Sequence, residues 1–295
     1  MKNFSKYIVE KLKIKKSHFK TNLSPKSKEE LIEIIKKEML IFGDDCNLNH
    51  IDISDVKDLS HLFCDSDKGF GLGKFCGDIS NWDMSGVEKC NDMFTLNKSI
   101  ERVVLPDTLV KIDKGMFWGC MKLTHVDLPN NLETIDDTAF MQSSLEEINI
   151  PSTVKYIGSY VFDSCLRLKN IDLSKNKYVE IHSSVCNQCS ALKTFILPQS
   201  GEVGGSLASY TTSLKKLTYN GTIEEFNNFT GNFLPSNQGA FFEALFGDPS
   251  GISNRQSLYQ QQINTQLRLL NQQITTQKDI QKLGGVFIRD VSYAP

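Results

Sequence analysis

VDLPNNLETIDDTAFMQSSLEEINIPSTVKYIGSYVFDSC, residues 126–165, carries one short pattern twice: an Ile, a Phe five residues later, and a Leu-Pro or Ile-Pro turn. Extending outward, the Ile members are Ile112, Ile135, Ile157 and Ile181, spaced 23, 22 and 24 residues apart. Phe117, Phe140, Phe162 and Cys186 keep the same steps. The turn proline stands at Pro106, Pro129 and Pro151, gives way to Ser174, and returns at Pro198. A period of this size, held by several independent positions, marks a solenoid whose repeats bury their apolar sides against neighbouring repeats.

The pieces ERVVLP, THVDLP, EEINIP, KNIDLS, KTFILP and KKLTYN, from residue 101 to 220, alternate apolar and polar positions as half-buried strands do. Val103 and Leu105, Val126 and Leu128, Ile148 and Ile150, Ile171 and Leu173, and Phe195 and Leu197 are expected to point inward. Stacking parallel strands about 4.8 Å apart then leaves two outward columns. One reads Arg102, His125, Glu147, Asn170, Thr194 and Lys216. The other reads Val104, Asp127, Asn149, Asp172, Ile196 and Thr218, with Asp52 and Asp83 extending it toward the N-terminus. The expected fold class is an α/β repeat solenoid with short parallel strands on its concave face, an N-terminal helical cap and a C-terminal helix.

Upstream, IDISDVKDLSHLF (51–63) aligns with WDMSGVEKCNDMF (82–94) at an offset of 31, and the insertion DSDKGFGLGK takes up the excess. Gly69, Gly71, Gly73 and Lys74 lack the spacing and the Ser/Thr of a phosphate loop. Asp65 and Asp67 fail as a calcium loop, because Gly69 and Cys76 stand at ligand positions. A flexible surface loop is the reading of both. Leu31, Ile32, Ile35, Met39 and Phe42 form the stripe of a capping helix that Gly43 ends, with Ser24-Pro25 or Ser27 and Glu30 as its start. The chain therefore divides into a basic amphipathic arm (1–22), a capping helix (23–43), longer repeats (44–98), a regular array (99–230), a C-terminal cap (231–250) and a Gln-rich helix with tail (251–295). Within 255–283, Ile263, Leu267, Leu270 and Ile274 suit either a coiled-coil seam and homo-oligomer or a helix folded back on its own solenoid.

A net charge of −2 with 23% charged residues gives no reason to expect nucleic acid. The charge is uneven: residues 1–40 hold 11 Lys against 5 Glu, and 44–98 hold 5 Lys against 11 Asp and Glu. A basic arm beside an acidic stretch suggests docking. No apolar run reaches the roughly 18 residues of a membrane span. MKNFSKYIVEKLKIKK lacks the apolar core and cleavage site of a secretion signal, so display outside a cell would need another route. Cys120, Cys165 and Cys189 share one repeat position, filled by Ser143 in the remaining copy, which favours buried thiols over disulfides. Cys186 and Cys189 have CxxC spacing, but a single such pair on repeat positions is not read as a metal or redox site. His50, His61, His125 and His182 are not spaced as metal pairs, and no catalytic constellation stands out. No cofactor and no catalysis are expected.

GDISNWDMSGVEKCNDMF resembles the surface-protein repeat of the BspA-like leucine-rich repeat family. LPNNLETIDDTAFMQSSLEEINIPSTVKYIGSYVFDSC resembles that family's other repeat type, and LTYNGTIEEFNNF its closing motif. The resemblance covers roughly 45–230 and implies a curved solenoid acting in adhesion and protein binding. NFSKYIVEKLKI and PKSKEELIEIIKK are similar to the N-termini of repeat proteins of gut Bacteroides and their crAss-like phages. That implies, as the alternative, a virion decoration protein docked by its terminal segments. The expected contact surface for a protein ligand, or a glycan, is Arg102, His125, Asp127, Glu147, Asn149, Asn170 and Asp172. The same residues also meet the plain requirement that a solenoid show polar side chains to water.

Overall fold

Phe63, Phe94, Phe117, Phe140 and Phe162 stand one above another through the centre of the molecule, with ring centroids 5.2, 5.1, 5.3 and 5.7 Å apart. Each ring belongs to one coil, so the column shows directly that the sequence period is the structural period. The computed structural model describes residues 23–204, 207, 208, 211, 213 and 214, and the backbone of 216–219 and 287–290. The basic arm, the C-terminal cap and the Gln-rich helix expected from the sequence lie outside the described residues, apart from the backbone of 287–290.

Among the described residues one helix, α1 (Lys28–Phe42), precedes the coils. Ser27 is its N-cap, the hydroxyl accepting from the amide of Glu30, and Gly43 closes it, its amide donating to the Met39 carbonyl. The start is therefore Ser27, not Ser24-Pro25. Leu31, Ile32 and Ile35 are buried against the first coil. Leu23 pairs in parallel with Ile51, Lys26 reaches Asp55, and Lys28 reaches Asp58 while lying over the Phe70 ring. Part of the charge asymmetry seen in the sequence is thus consumed inside the chain, holding the cap on the acidic coils.

The regular coils use two parallel ladders. The first contains β1 (Arg102–Val104) paired with β3 (His125–Asp127), then β6 (Asn170–Asp172), β8 (Thr194–Ile196) and β10 (Lys216–Tyr219). β11 (Phe287–Asp290) joins β10 antiparallel, which makes the expected extended tail a strand. The second ladder runs β2 (Lys111–Ile112), β4 (Thr134–Ile135), β5 (Tyr156–Ile157), β7 (Tyr178–Ile181) and β9 (Ser200–Val203). It carries the repeating Ile residues, which the sequence marks without showing that they are strands. Three of its five strands, β2, β4 and β5, have two residues each, too few for an alternation signal.

A third side of each coil is a chain of turns around the stacked Phe. Left-handed residues stand two before and two after it: Asp92 and Leu96, Gly115 and Gly119, Thr138 and Gln142, Tyr160 and Ser164, Ser184 and Gln188. A left-handed non-glycine residue costs about 1 kcal/mol or more. The return is a coil-to-coil ladder in which the amides of Asp92, Phe94 and Leu96 donate to the carbonyls of Lys114, Met116 and Trp118, and later coils repeat this. Between these sides runs one continuous apolar core from Leu31 to Leu214. Every residue expected to point inward is buried except Leu128, which is half-buried against that core.

Two expectations are corrected. The insertion after Phe63 is not a free surface loop, because Leu72 within it is buried and Phe75, which directly follows it, stacks on Phe63 at 4.2 Å. The EEINIP piece is not a strand. Glu147–Ile150 makes no backbone hydrogen bond to the coil before or after it, so the first ladder is interrupted between β3 and β6. Ile148 and Ile150 still face inward there.

All eight cysteines are free, and seven are buried. Cys120, Cys165 and Cys189 donate their thiols to the carbonyls of Phe94, Phe140 and Phe162 in the preceding coil, at 3.1, 3.0 and 2.9 Å. The shared position thus wants a small donor as well as a small apolar group. Cys186 donates the other way, to Leu207. Burial pushes Cys165 up to about 11 and Cys46 and Cys90 up to about 12. An unfolded thiol ionises near pH 8.5, whereas these stay protonated in the fold. Their contribution to stability is full below that pH and declines as pH rises from there toward the folded values. Thiol labelling of the native chain at pH 8 is expected to modify the half-exposed Cys76 first and the buried seven only on unfolding, read by peptide mass spectrometry. Equally fast labelling of Cys165 would contradict the packing.

Candidate interaction surface

Arg102, His125 and Asp127 converge at the start of the first ladder. The register pairs Arg102 with His125 and Val104 with Asp127. The Arg102 guanidinium donates to Asp127 Oδ2 at 2.7 Å, and His125 Nε2 meets Asp127 Oδ1 at 2.8 Å. Hydrogen bonding from Arg102, then from His125, holds the Asp127 carboxyl below the usual carboxylate range. Arg102 is exposed, His125 and Asp127 are half-buried, and Val104 beside them is 43% exposed. Alternation along a strand places one side chain of every two outward, and the coil repeat then stacks like positions.

Asn170 and Asp172 lie on β6, exposed and in register with Thr194 and Ile196. Asp172 Oδ1 accepts from the amide of Ser174 at 2.8 Å. The same Asp-x-Ser turn recurs at Asp52, Asp58, Asp78 and Asp83. Each of these carboxylates therefore has a structural task, an Asx turn at the corner of its coil. Glu147 and Asn149 are exposed too, but on the interrupted rung. The structure thus brings Arg102, His125 and Asp127 into one cluster and Asn170 and Asp172 into another. Glu147 and Asn149 stand between two separate sheet segments, not on one unbroken sheet.

Glu146 is absent from the sequence-derived set. Its carboxylate takes Arg167 on one oxygen and Lys169 at 2.8 Å on the other, and these cations hold it below its ordinary value. Glu146 and Lys169 begin their alternating hexapeptides, and an acid above a base at one repeat position was the available signal. His182 sits by Glu180 on the second ladder, and His50 faces the buried Glu38 under the cap at 3.6 Å.

The family described as "BspA type Leucine rich repeat region" matches residues 88–215 in six copies. Among solved structures, the chain is similar to a leucine-rich repeat protein from Bacteroides ovatus at 24% identity, with a TM-score of 0.42, over 50% of this chain and 38% of that one. It is also similar to a leucine-rich repeat protein from T. pallidum at 27% identity and a TM-score of 0.36, over 43% of this chain and 60% of that one. The pneumococcal vaccine antigen PcpA shares 21% identity at a TM-score of 0.34, over 50% of this chain and 37% of its own length. The chain thus spans less than two thirds of each of these structures. No curated protein matches it. The six matched repeats fall within 88–215, the stretch that holds the regular coils, and over that stretch the chain is similar to the BspA-type leucine-rich repeats.

Proposed function

We propose that the chain is a non-enzymatic binding protein whose first strand ladder, the concave side of the solenoid, takes a protein ligand in an adhesive or surface role. The observation that carries this is the Arg102–His125–Asp127 cluster, charged, accessible and already held in place beside exposed Val104. Side chains fixed before binding lose less freedom on docking, and a repeat array lays such positions out over a long surface. Glu147, Asn149, Asn170 and Asp172 extend the surface toward the C-terminal coils.

No described helix is long and apolar enough to cross a membrane. The virion alternative depends on attachment through 1–22 and 251–295, and homo-oligomerisation depends on 255–283. Both lie outside the described residues apart from 287–290.

The test is binding of the purified full chain to an immobilised panel of extracellular proteins and glycans, beside the triple variant Arg102→Ala/Glu147→Ala/Asn170→Ala. None of these three side chains supports a buried contact, so the melting temperature is expected to stay unchanged while binding falls at least tenfold. Undiminished binding by the folded triple variant would move the site off this ladder. Exclusive binding to glycans would replace the protein ligand.

A further inference from the structure

The second ladder holds a group of side chains that the coil architecture does not explain. Tyr156, Glu180 and Glu202 lie side by side on β5, β7 and β9, because the register pairs Tyr156 with Glu180 and Glu180 with Glu202. Tyr178 points outward two residues before Glu180 and is 47% exposed. His182 packs its ring against Tyr156, with centroids 4.9 Å apart and planes tilted by 49°, and its Nε2 meets Glu180 at 2.7 Å.

Elsewhere along this side, Asp113, Asp136 and Glu133 are matched by lysines. Lys111 lies between Asp113 and Asp136 at 2.8 Å from each, and Lys155 meets Glu133 at 2.9 Å. Glu180 and Glu202 instead face each other, and among the described residues neither pairs with a Lys or Arg. Like charges directly opposite on neighbouring strands destabilise a sheet. The His182 ring at Glu180 and the Tyr178 phenol at Glu202 offset this only in part, with no Lys or Arg between the two carboxylates, and a rule broken with so little offset is the kind of place where a binding function is found. The two phenols feel the same negative field. Burial first, then Asp137, Asp136 and Glu180, raises Tyr156 above its ordinary value. Burial first, then Glu202 and Glu180, does the same for Tyr178.

We infer that Tyr156, Tyr178, Glu180, His182 and Glu202 form a second contact surface that receives an arginine side chain from a cationic segment of a partner protein. A guanidinium is planar, carries a fork of donors suited to carboxylates and stacks on aromatic rings. It neutralises both carboxylates at once. A glycan hydroxyl could bond to either carboxylate but would leave the repulsion in place. This surface lies on a different ladder from the one proposed for the main ligand, so each stands or falls without the other.

The test is calorimetric titration of the full chain with a capped hexa-arginine peptide, with hexa-lysine and a chito-oligosaccharide as parallel probes. The expected order is arginine over lysine, with no saccharide binding, and affinity that falls as salt rises. The double variant Tyr178→Ala/Glu202→Gln is expected to lose at least tenfold in arginine-peptide affinity. The control Asp52→Asn/Asp83→Asn, on the other acidic stretch, is expected to change it less than twofold. Glu202→Gln alone is expected to raise the melting temperature of the free chain by relieving the repulsion. Equal losses in both double variants would reduce the effect to general charge and overturn the site. So would absent peptide binding, saccharide binding that Tyr178→Ala abolishes, or a lower melting temperature for Glu202→Gln.

Discussion

Phe117→Ala is expected to lower the unfolding free energy by about 3–5 kcal/mol, the range for emptying a fully buried aromatic site. Phe117 has no exposed surface, and its ring is sandwiched between Phe94 at 5.1 Å and Phe140 at 5.3 Å. The substitution therefore removes two stacking partners as well as burial, and such pairs add about 1 kcal/mol each beyond area. Because a solenoid is held by nearest-neighbour interfaces, a central cavity weakens two interfaces at once. Phe162 has a stacked ring on one side only, since Cys186 occupies the next position, and Phe162→Ala is expected to cost less. Urea denaturation of both variants checks the order. Equal or inverted losses would mean that the column is not the spine of the array.

Asn97→Ala is expected to cost about 3 kcal/mol or more although it deletes only a small polar group. Asn97 is fully buried, and its amide nitrogen donates to the carbonyls of Phe63 at 3.3 Å and Phe75 at 2.9 Å. Its oxygen accepts from the amides of Ser99 at 2.9 Å and Ile100 at 3.0 Å. Four backbone groups would lose this partner, and each unsatisfied buried group costs about 1–3 kcal/mol. The two carbonyls lie before and after the insertion, so Asn97 pins that loop to the coil beneath it. Limited proteolysis should then cut the Asn97→Ala variant between residues 64 and 76 well before the wild type. Asn97→Asp keeps the two acceptor bonds but loses the donors and buries a charge, and it is expected to be no better. A stable, protease-resistant Asn97→Ala chain would show that Phe75 alone holds the loop.

Asn97 also shows what a sequence reading can and cannot reach. It occupies the repeat position of Cys120, Ser143, Cys165 and Cys189, three residues after the stacked Phe. Asn97, Cys120, Cys165 and Cys189 each donate to a carbonyl one coil back, a constraint that apolar periodicity does not register. The first ladder was legible because its strands alternate. The second was not, because Lys111–Ile112, Thr134–Ile135 and Tyr156–Ile157 are two residues long, and their pairing depends on the coil closing. EEINI alternates as well as its neighbours do, yet beyond Glu146 it makes no ladder bonds. Local pattern sets which side chains face inward, whereas backbone pairing also needs the adjacent coils to lie at the right distance.

The same division holds for the surface. Outward positions such as Arg102 and Asn170 follow from alternation alone. The clustering of Arg102 and His125 on Asp127 requires knowing which residues stack across a repeat, and the sequence period supplies that. The break between β3 and β6 does not follow from the period, and it separates the expected surface into two parts. Ion pairs such as Glu146 with Arg167 and Lys169 become visible only once coil neighbours are assigned.

Hydrogen–deuterium exchange of the full chain, alone and with the ligand selected from the binding panel, tests the central claim most directly. New protection is expected in peptides covering 101–128 and 146–173, with the turn ladder around Phe94, Phe117 and Phe140 slow to exchange in both states. New protection confined to the turn side, with the first ladder unchanged, would contradict it.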